Sequence, residues 1–349
     1  MAWSFGDSFD LYATTADMVN GYWDSAVSIA NIALVSPGRF TGSQALNFST
    51  GTGAPAVIKS SATNDAVHHF VVSFRQTAAI SGSSTGAYLT LFDGATAQCS
   101  VVFRSDGAIL LTSGIFSGTV LATYTGAFPV TNTWYAFECE VVINNTTGSF
   151  TVRKNGNTVN DFTLGSLNTR GGTANNYANK LQMGMSVAVN AQHIDDLFWQ
   201  SGAATGAWLG DLRCFARMPA SDASVTFTKS TGASNFSCVD EAQQNALTDY
   251  VFDSTPGDAD FYGVTSIVST PATVVATTTR AYMQKSDAGT RTAAVQLKSG
   301  ATTVASPTLT LTTSGWLWAW RTDLTDPATG AAWTPAAVNN AQIGPKTIA

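Results

Sequence analysis

Charged side chains are scarce in this 349-residue chain, where Asp, Glu, Lys and Arg together make up 11% of the residues, against roughly 25% in a typical soluble domain. Glutamate and lysine, which build most solvent-facing helices, number only three and seven. The acids are almost all aspartate, which favours turns and helix caps over helix interiors. Disordered chains carry more charge and fewer aromatics. A helical or disordered protein is therefore excluded, and the plentiful Thr and Val favour strands.

An excess of positive charge and a long apolar run are also missing. The net charge is −6 and the pI is about 4.9, which argues against binding nucleic acid through its phosphates. No stretch of about 18 apolar residues is present, so no membrane insertion is expected. The first basic residue is Arg39 and no apolar core precedes it, so we expect no signal peptide.

The four cysteines show no CxxC pair and no short secreted framework. Cys139 alternates with apolar residues in "FECEV", which predicts a small core side chain. A structural zinc site needs closer pairs than these. We therefore predict reduced thiols and assembly in a cytoplasm.

Short alternating runs separated by turn signals begin near residue 45. The runs "HHFVVSFRQ", "AYLTLFDG" and "CSVVFRSDGAILLTS" predict strands, and "DG", "SDG" and "KNG" predict the turns between them. In the longest hairpin, apolar residues share one strand face and the acids Glu138 and Glu140 share the other; the apolar set is Tyr135, Phe137, Cys139, Val141 and Ile143. Regular short strands of this kind predict a sandwich or a barrel.

A stretch of small residues, "SGAATGA" at 201–207, indicates a joint between two domains. We predict an all-β chain of two β-sandwich domains, 1–205 and 206–349. Strand patterns resume after the joint. Near the end, Thr334 before Pro335 predicts the start of a short helix.

The order of motifs resembles known families. "WYAFECEVVINNTTGSFTVRKNG" followed by "HIDDLFW" resembles the closing strands of the concanavalin A-like (laminin G-like) jelly roll. In the second half, "GDLRCFARMPASD", "YMQKSDAGTRTAAVQLKSG" and "TDPATGAAWTPAAVNNAQIGPK" resemble, in their succession, structural proteins of tailed bacteriophages and prophages. The resemblance covers most of the chain and includes no catalytic signature.

This resemblance implies a non-enzymatic virion structural protein that is part of a tail fibre or tail appendage involved in host attachment. Its partners would be other virion proteins, further copies of itself as a homo-oligomer, and a host surface glycan. It would be assembled in the host bacterial cytoplasm. A capsid decoration or head-fibre protein is one alternative. A carbohydrate-binding module and a polysaccharide-degrading enzyme are two others.

Asp195 and Asp196 are the candidate metal ligands. Neighbouring residues of a strand point to opposite faces, so the two carboxylates converge only if the strand contains a bulge. We expect one to face solvent or a rim loop and the other to bond backbone amides. Related lectin-like folds can bind Ca²⁺ at the sandwich rim, so Ca²⁺ is the candidate ion, although no EF-hand loop is present. No other cofactor is expected.

Glu138 and Glu140 are the best enzyme candidates, because residues two apart share a strand face and a glycosidase uses two carboxylates roughly 5–9 Å apart. Some glucanases of the resembling fold carry a longer acidic motif, and its third acid is missing here, where Val142 and Ile143 follow. The alternative is a solvated outer face of an antiparallel sheet. We expect no catalytic residue.

"WLWAW" places Trp316, Trp318 and Trp320 on one face of a strand. If exposed, this stripe would form a sugar-stacking platform or a subunit contact; if buried, it belongs to the core. His68 and His69 open a strand and point apart, so no histidine metal site is predicted. The acidic stretch 240–260 is interpreted as a solvated loop.

Overall fold

The fold is all-β and divides into two compact units. The structure, a computed structural model, describes residues 2–48, 54–78, 82–186, 192–245, 248–267 and 273–349. The first unit comprises 1–10, 14–19 and 23–214, and the second comprises 11–13, 20–22 and 215–349. The longest stretch of the first unit ends at Cys214, and the longest stretch of the second begins at Phe215. None of the helices in the described ranges is long and apolar enough to span a bilayer.

Within the described ranges, the first unit contains fifteen strands and two short helical turns. The strands are β1 Trp3–Asp7, β2 Ser25–Val27, β3 Ile32–Val35, β4 Ala45–Phe48, β5 Ala56–Asp65, β6 Val67–Gln76, β7 Thr85–Asp93, β8 Thr96–Arg104, β9 Ile109–Ser113, β10 Val120–Tyr124, β11 Trp134–Val142, β12 Gly148–Lys154, β13 Phe162–Leu167, β14 Ala178–Met185 and β15 Gln192–Ser201. The turns are α1 Thr15–Met18 and a 3₁₀ turn at Ile29–Asn31.

These strands form two antiparallel sheets. One has eight strands in the order β13-β12-β11-β6-β15-β4-β3, with β1 also paired to β15, and the other has seven in the order β10-β9-β8-β7-β14-β5-β2. Phe74 of β6 stacks on Phe103 of β8 at 4.5 Å between ring centroids, so the sheets face each other across an aromatic core. The predicted β-sandwich is confirmed.

Strand β11 shows the predicted alternation. Its apolar face is buried in the core, with Phe137, Cys139 and Val141 fully inaccessible. Strand β6 is buried on both faces, which requires a second layer of protein outside the eight-stranded sheet. That layer is the segment 202–214, which follows β15 directly.

The second unit layers a two-stranded ribbon on a six-stranded sheet. Its elements are β16 Pro219–Ser224, β17 Thr228–Lys229, a 3₁₀ turn Phe236–Cys238, β18 Val251–Phe252, β19 Phe261–Val264, β20 Thr277–Met283, β21 Thr292–Ser299, β22 Thr302–Ala305, β23 Leu309–Thr310, β24 Leu317–Asp323, α2 Pro335–Asn340 and β25 Gln342–Thr347. The sheet order is β16-β19-β25-β21-β22 with β23 on β21, and β17–β18 and β20–β24 are separate ribbons.

Two apolar clusters hold this unit together. Met283 and Ala319 of the β20–β24 ribbon pack with Val295 of β21. In the second cluster, Val338 of α2 packs with Trp333 and with Leu297, which lies on β21 like Val295. The helix begins as predicted, since the Thr334 hydroxyl accepts the Ala337 N–H at 3.1 Å and Pro335 follows the cap.

Candidate functional site

Glu138 and Glu140 lie on the outer face of the eight-stranded sheet, but that face is not solvated. Glu138 is 3% exposed and Glu140 is 6% exposed. The expectation of a wet outer face is therefore wrong at these two residues. The reason is the segment 202–214, whose backbone crosses the carboxylates and donates hydrogen bonds to both.

Three backbone amides of the segment 202–214 donate hydrogen bonds to the two carboxylates. Glu138 accepts the Leu209 N–H at 2.5 Å on one oxygen and the Gly210 N–H at 2.9 Å on the other. Glu140 accepts the Gly206 N–H. Carboxylate–amide bonds of this kind are charge-assisted and stronger than neutral ones. They anchor a stretch that has no regular secondary structure.

Trp208 completes the anchoring of the segment. The Arg153 guanidinium lies 4.2 Å from the centroid of the Trp208 ring, within cation–π range. Arg153 is also paired across the strands with Glu138. On the other side, the Trp208 ring meets His69 edge-on at 5.9 Å. Burial lowers the pKa of His69, whose Nε2 lies 3.4 Å from Glu140.

Both glutamates are therefore engaged by protein groups. Burial raises the pKa of Glu138 above its usual range, against the amide bonds and Arg153, which lower it. A raised pKa is typical of a general acid, but a general acid must also reach the substrate. Here the oxygens of Glu138 face Leu209 and Gly210. In this arrangement the pair holds the segment 202–214.

Asp195 and Asp196 converge on one side of strand β15. The register of β15 against β6 shifts between Asp195 and Phe198, and Asp196 has a left-handed φ of 48°, which Asp tolerates better than most residues. The bulge turns Asp196 toward the same outer face as Asp195. The expectation that the two carboxylates point to opposite faces is therefore wrong. Neither faces solvent, since both are at most 2% exposed; of the expected surroundings, a loop and backbone amides contact them.

Arg39 is the partner of this pair. Its backbone N–H donates to Asp195 at 2.6 Å, and its guanidinium lies 3.6 Å from Asp196. The same guanidinium forms a two-bond contact with Asp211, at 2.6 Å and 2.5 Å. Asp196 also accepts the Cys214 N–H at 2.8 Å. The pair thus joins the loop after β3 to the end of the segment 202–214.

The groups around Asp195 and Asp196 are hydrogen-bond donors rather than the oxygen ligands that a calcium site needs. Ca²⁺ takes six to eight oxygen ligands, whereas these oxygens face a guanidinium and backbone N–H groups. Within the described ranges, no three His, Cys, Asp or Glu side chains group as a metal site. Burial raises the pKa of both carboxyls, to about 8 for Asp195 and about 6 for Asp196. Asp195 and Asp196 therefore do not form the calcium site that was expected of them.

The other predicted polar positions have structural partners. His68 points into the core and His69 points outward, as predicted. In the acidic stretch 240–260, Asp260 is fully buried and accepts N–H groups from Thr226 at 2.6 Å and Phe227 at 2.9 Å. The interpretation of that stretch as a solvated loop is wrong at Asp260, which ties the loop to the strands of the second unit.

The tryptophan stripe lies on the β20–β24 ribbon. Cross-strand pairs place Arg280 opposite Trp320 and Tyr282 opposite Trp318, so these side chains share a face. Tyr282 stacks against Trp316 at 5.6 Å and contacts Trp318 at 4.6 Å. We call this surface the aromatic face; its residues are Arg280, Tyr282, Trp316, Trp318 and Trp320. The opposite face of the ribbon packs into the core through Met283 and Ala319.

Residues from near the start of the chain cover part of the aromatic face. Tyr12 meets Trp318 edge-on at 6.1 Å, and Tyr22 meets Trp320 edge-on at 5.3 Å. The Arg280 guanidinium lies 4.0 Å from the Tyr22 ring centroid. Trp318 is 7% exposed as a result, so the stripe is not an open platform of three rings. Trp316 and Trp320 remain half-buried.

A cleft of about 500 Å³ runs along β24. Asn20 bonds the edge of β24 at one end, where its carbonyl accepts the Trp318 N–H at 2.7 Å. The lining is mostly apolar and comes from β24, the 305–309 strand ends and Gly21; the residues are Gly21, Ala305, Pro307, Thr308, Leu309, Trp318, Ala319, Trp320, Arg321 and Thr322. Trp316 is not among them. Concave, mostly apolar sites with a few polar groups are typical of small-ligand binding.

Gly21 allows the close approach at this end of the cleft. Its φ is +102°, and a Cβ atom there would lie 3.3 Å from the Trp318 carbonyl oxygen. A side chain at this position would thus be strained and would push against the strand. The Trp320 indole N–H donates to the Gly21 carbonyl at 3.0 Å, which fixes the ring that lines the cleft.

Sequence reasoning found the tryptophans but missed their partners. Tyr12 and Tyr22 lie about 300 residues before Trp320 in the sequence, and Arg280 lies 40 residues before it. No local periodicity links residues so far apart. The one available signal is the density of aromatic residues in 1–30. Arg321 is the charged residue that lines the cleft. Nothing in the local sequence pattern indicated this position, because it depends on how the strand packs.

No protein-family model matches the chain, and no curated protein matches it. Among similar solved structures is the metal-free carbohydrate recognition domain of Emp46p, with 7% identity over 58% of this chain and 96% of that chain and a TM-score of 0.39. Arcelin-5, a lectin-like defence protein from Phaseolus vulgaris, has 10% identity over 58% and 99%, with a TM-score of 0.37.

The Ca²⁺-bound exoplasmic/lumenal domain of VIP36 is a third similar structure, with 9% identity over 58% of this chain and 90% of that chain and a TM-score of 0.38. At these TM-scores no ligand and no site residue is transferred from the three proteins. The β-sandwich assignment stands on the two facing sheets of the first unit.

Proposed function

We propose that this chain is a non-enzymatic carbohydrate-binding protein and that a glycan binds in the β24 cleft. The observation that carries the proposal is the lining of the cleft, where Trp318 and Trp320 lie beside the hydroxyl-bearing residues Thr308 and Thr322. A pyranose ring presents an apolar face of C–H groups and a rim of hydroxyls. Aromatic rings and nearby polar groups match those two surfaces.

The absence of catalysis is part of the same proposal. It is supported by the hydrogen bonds that commit Glu138 and Glu140 to the segment 202–214. A glycosidase needs both carboxylates at the scissile bond. Incubation with soluble polysaccharides should release no reducing ends. Release that disappears in a Glu138→Gln protein would overturn this part of the proposal.

Glycan binding is tested first with Trp320→Ala. Truncating the ring removes an aromatic surface of the cleft, and we expect the affinity for the bound polysaccharide to fall at least about tenfold. Native gels containing soluble polysaccharides measure this as lost retardation of the protein. A neutral panel of dextran, mannan, galactan and hydroxyethylcellulose is the starting set.

The matched control is Trp316→Ala, which removes a tryptophan of the same stripe that does not line the cleft. Its affinity should stay within about twofold of the wild type. Equal losses in both variants would point to general damage to the ribbon. Retained binding in Trp320→Ala would place the glycan elsewhere and overturn the assignment of the cleft.

As the biological setting, we propose the virion of a tailed bacteriophage, with the protein in a tail fibre or tail appendage that contacts a host surface glycan. Support comes from the order of motifs in the second half of the chain and from its low charge, which suits an exposed particle protein. Homo-oligomers and neighbouring virion proteins would be its partners, and assembly would occur in the host bacterial cytoplasm. A capsid decoration or head-fibre role is the alternative.

Antibody labelling of intact virions, imaged by electron microscopy, tests this setting. Label on tail tips or fibres supports host attachment, and label over the head supports capsid decoration. Particles without label would exclude the virion setting while leaving the glycan-binding proposal to its own test.

A further inference from the structure

The β24 cleft contains one charged side chain among its lining residues, Arg321. Guanidinium groups recognise carboxylates and phosphates through paired N–H donors. If those donors were free, the cleft would suit an acidic sugar. Their actual partners therefore decide which class of glycan the cleft can accept.

Arg321 already uses three of its five N–H donors on protein groups. Its Nε donates to Asp323 at 2.8 Å, a terminal nitrogen bonds the other Asp323 oxygen, and the remaining nitrogen donates to the Ala305 carbonyl. The two side chains are 18% and 10% exposed. Each of the three guanidinium nitrogens thus donates to a protein group, and the Asp323 carboxylate neutralises the charge beside the cleft.

The strand itself holds this pair in register. Residues 321 and 323 are two apart on β24 and share a face. The Trp333 indole N–H donates to the Asp323 carbonyl at 3.0 Å, which fixes the backbone that carries the carboxylate. Asp323 cancels the charge of Arg321, and its own negative charge adds a repulsive element against an anion.

We infer that the cleft selects neutral glycans and rejects acidic ones, because the Arg321–Asp323 pair consumes the cation that an acidic sugar would need. This inference rests on the proposed glycan binding. It adds the class of ligand, namely uncharged hexose-type polysaccharides rather than uronate- or sialate-containing ones.

The experiment compares the full-length wild type on neutral and acidic polysaccharides at one low ionic strength. The neutral set is the dextran, mannan, galactan and hydroxyethylcellulose panel, and the acidic set is polygalacturonate, alginate and hyaluronan. We expect retardation by at least one neutral polymer, abolished in Trp320→Ala, and none by the acidic polymers. Retardation by an acidic polymer that Trp320→Ala abolishes would overturn the inference and leave the proposed function standing. No retardation by either set would overturn both.

The Asp323→Asn variant tests whether affinity for acidic polysaccharides can be gained. It keeps the shape of the side chain but leaves Arg321 with an uncompensated charge. An acidic polymer that does not retard the wild type should therefore retard the variant, with a gain in affinity of at least about tenfold, the scale of one charge-assisted hydrogen bond. The matched control is the double variant Arg321→Gln with Asp323→Asn, which has no free cation and should gain nothing. An equal gain in both would show that the loss of the Asp323 carboxylate, rather than the charge of Arg321, causes the gain, and it would contradict the role of Arg321. If Asp323→Asn does not fold, the wild-type comparison alone decides.

Discussion

Glu138 is a buried carboxylate whose two oxygens accept consecutive backbone amides. The net gain from each such hydrogen bond is modest, but a buried donor left without an acceptor costs about 1–3 kcal/mol. The pair of bonds from Leu209 and Gly210 therefore makes Glu138 a structural anchor. Its raised pKa follows from the same burial and needs no catalytic explanation.

We predict that Glu138→Ala lowers the free energy of unfolding by about 1–3 kcal/mol, because the amides of Leu209 and Gly210 lose their acceptor. Glu138→Gln should cost less, since the amide oxygen still accepts. Urea unfolding monitored by tryptophan fluorescence measures both.

The control for this series is Glu241→Gln, since Glu241 is only partly buried and accepts a hydrogen bond from the Asn245 side chain in an exposed loop. That change should stay within about 0.5 kcal/mol. If Glu138→Ala is as mild as the control, the segment 202–214 is held by Trp208 and Arg39 instead.

At the scale of single elements, the segment 202–214 shows how irregular backbone is ordered without a helix or strand. Gly202, Gly206 and Gly210 all have positive φ, between 76° and 81°. Each left-handed turn redirects the chain, so that successive amides reach Glu140 and Glu138. The interpretation of 201–207 as a domain joint was based on its small residues. It did not identify the carboxylates of Glu138 and Glu140 on β11 as the acceptors of the backbone amides.

Gly210→Ala tests this conformational requirement. A Cβ there would meet nothing within 4 Å, and the φ is +81°, so the change should destabilise through backbone strain alone, by about 1–2 kcal/mol. Gly165→Ala is the matched control, because its added Cβ is also unobstructed and its φ lies outside the left-handed region. Thermal or urea unfolding of both proteins gives the comparison. Equal effects would contradict the strain argument.

The strands themselves were predictable because alternation and turn residues are local signals. The Tyr135 to Ile143 face, the hairpins and the start of α2 at Thr334 all follow from neighbours in sequence. The bulge at Asp195–Asp196 could not be predicted, since it depends on Arg39 and Cys214, which are distant in the chain. The cleft was beyond prediction for the same reason, because Gly21 joins it from the N-terminal region.

At the scale of the whole molecule, buried histidines link the stability of the first unit to pH. His68 Nδ1 accepts the Trp199 indole N–H at 3.2 Å, and its Nε2 lies 2.8 Å from the Asp65 carbonyl. This arrangement requires the neutral ring with the proton on Nε2. Burial lowers the pKa of His68 to about 4, and burial beside Arg75 lowers the pKa of His193 to about 4 as well.

We predict that the histidine contribution to stability falls as the pH decreases from about 6.5 to about 4. In that window the unfolded chain binds protons that the folded chain does not, so the free energy of unfolding decreases with acid. The Asp195–Asp196 pair acts with the opposite sign, because burial raises the pKa of both carboxyls. A variant is therefore needed to isolate the histidine.

His68→Gln is that variant, since glutamine can both accept from Trp199 and donate to Asp65 but does not titrate. Urea unfolding at pH 7 and at pH 4.5 should show the wild type losing stability relative to His68→Gln as the pH falls. A difference between the two proteins that does not change with pH would contradict the prediction.

The assignment of residues 11–13 and 20–22 to the second unit has a consequence for biosynthesis and for modular exchange. These residues leave the ribosome before the β20–β24 ribbon, yet Tyr12 and Tyr22 meet Trp318 and Trp320 only after about 300 further residues have been made. The ribbon thus receives part of its aromatic cover from a segment that is translated much earlier. A gene fragment cut at the 214–215 boundary would encode a C-terminal unit without that cover, so the two halves are not interchangeable cassettes.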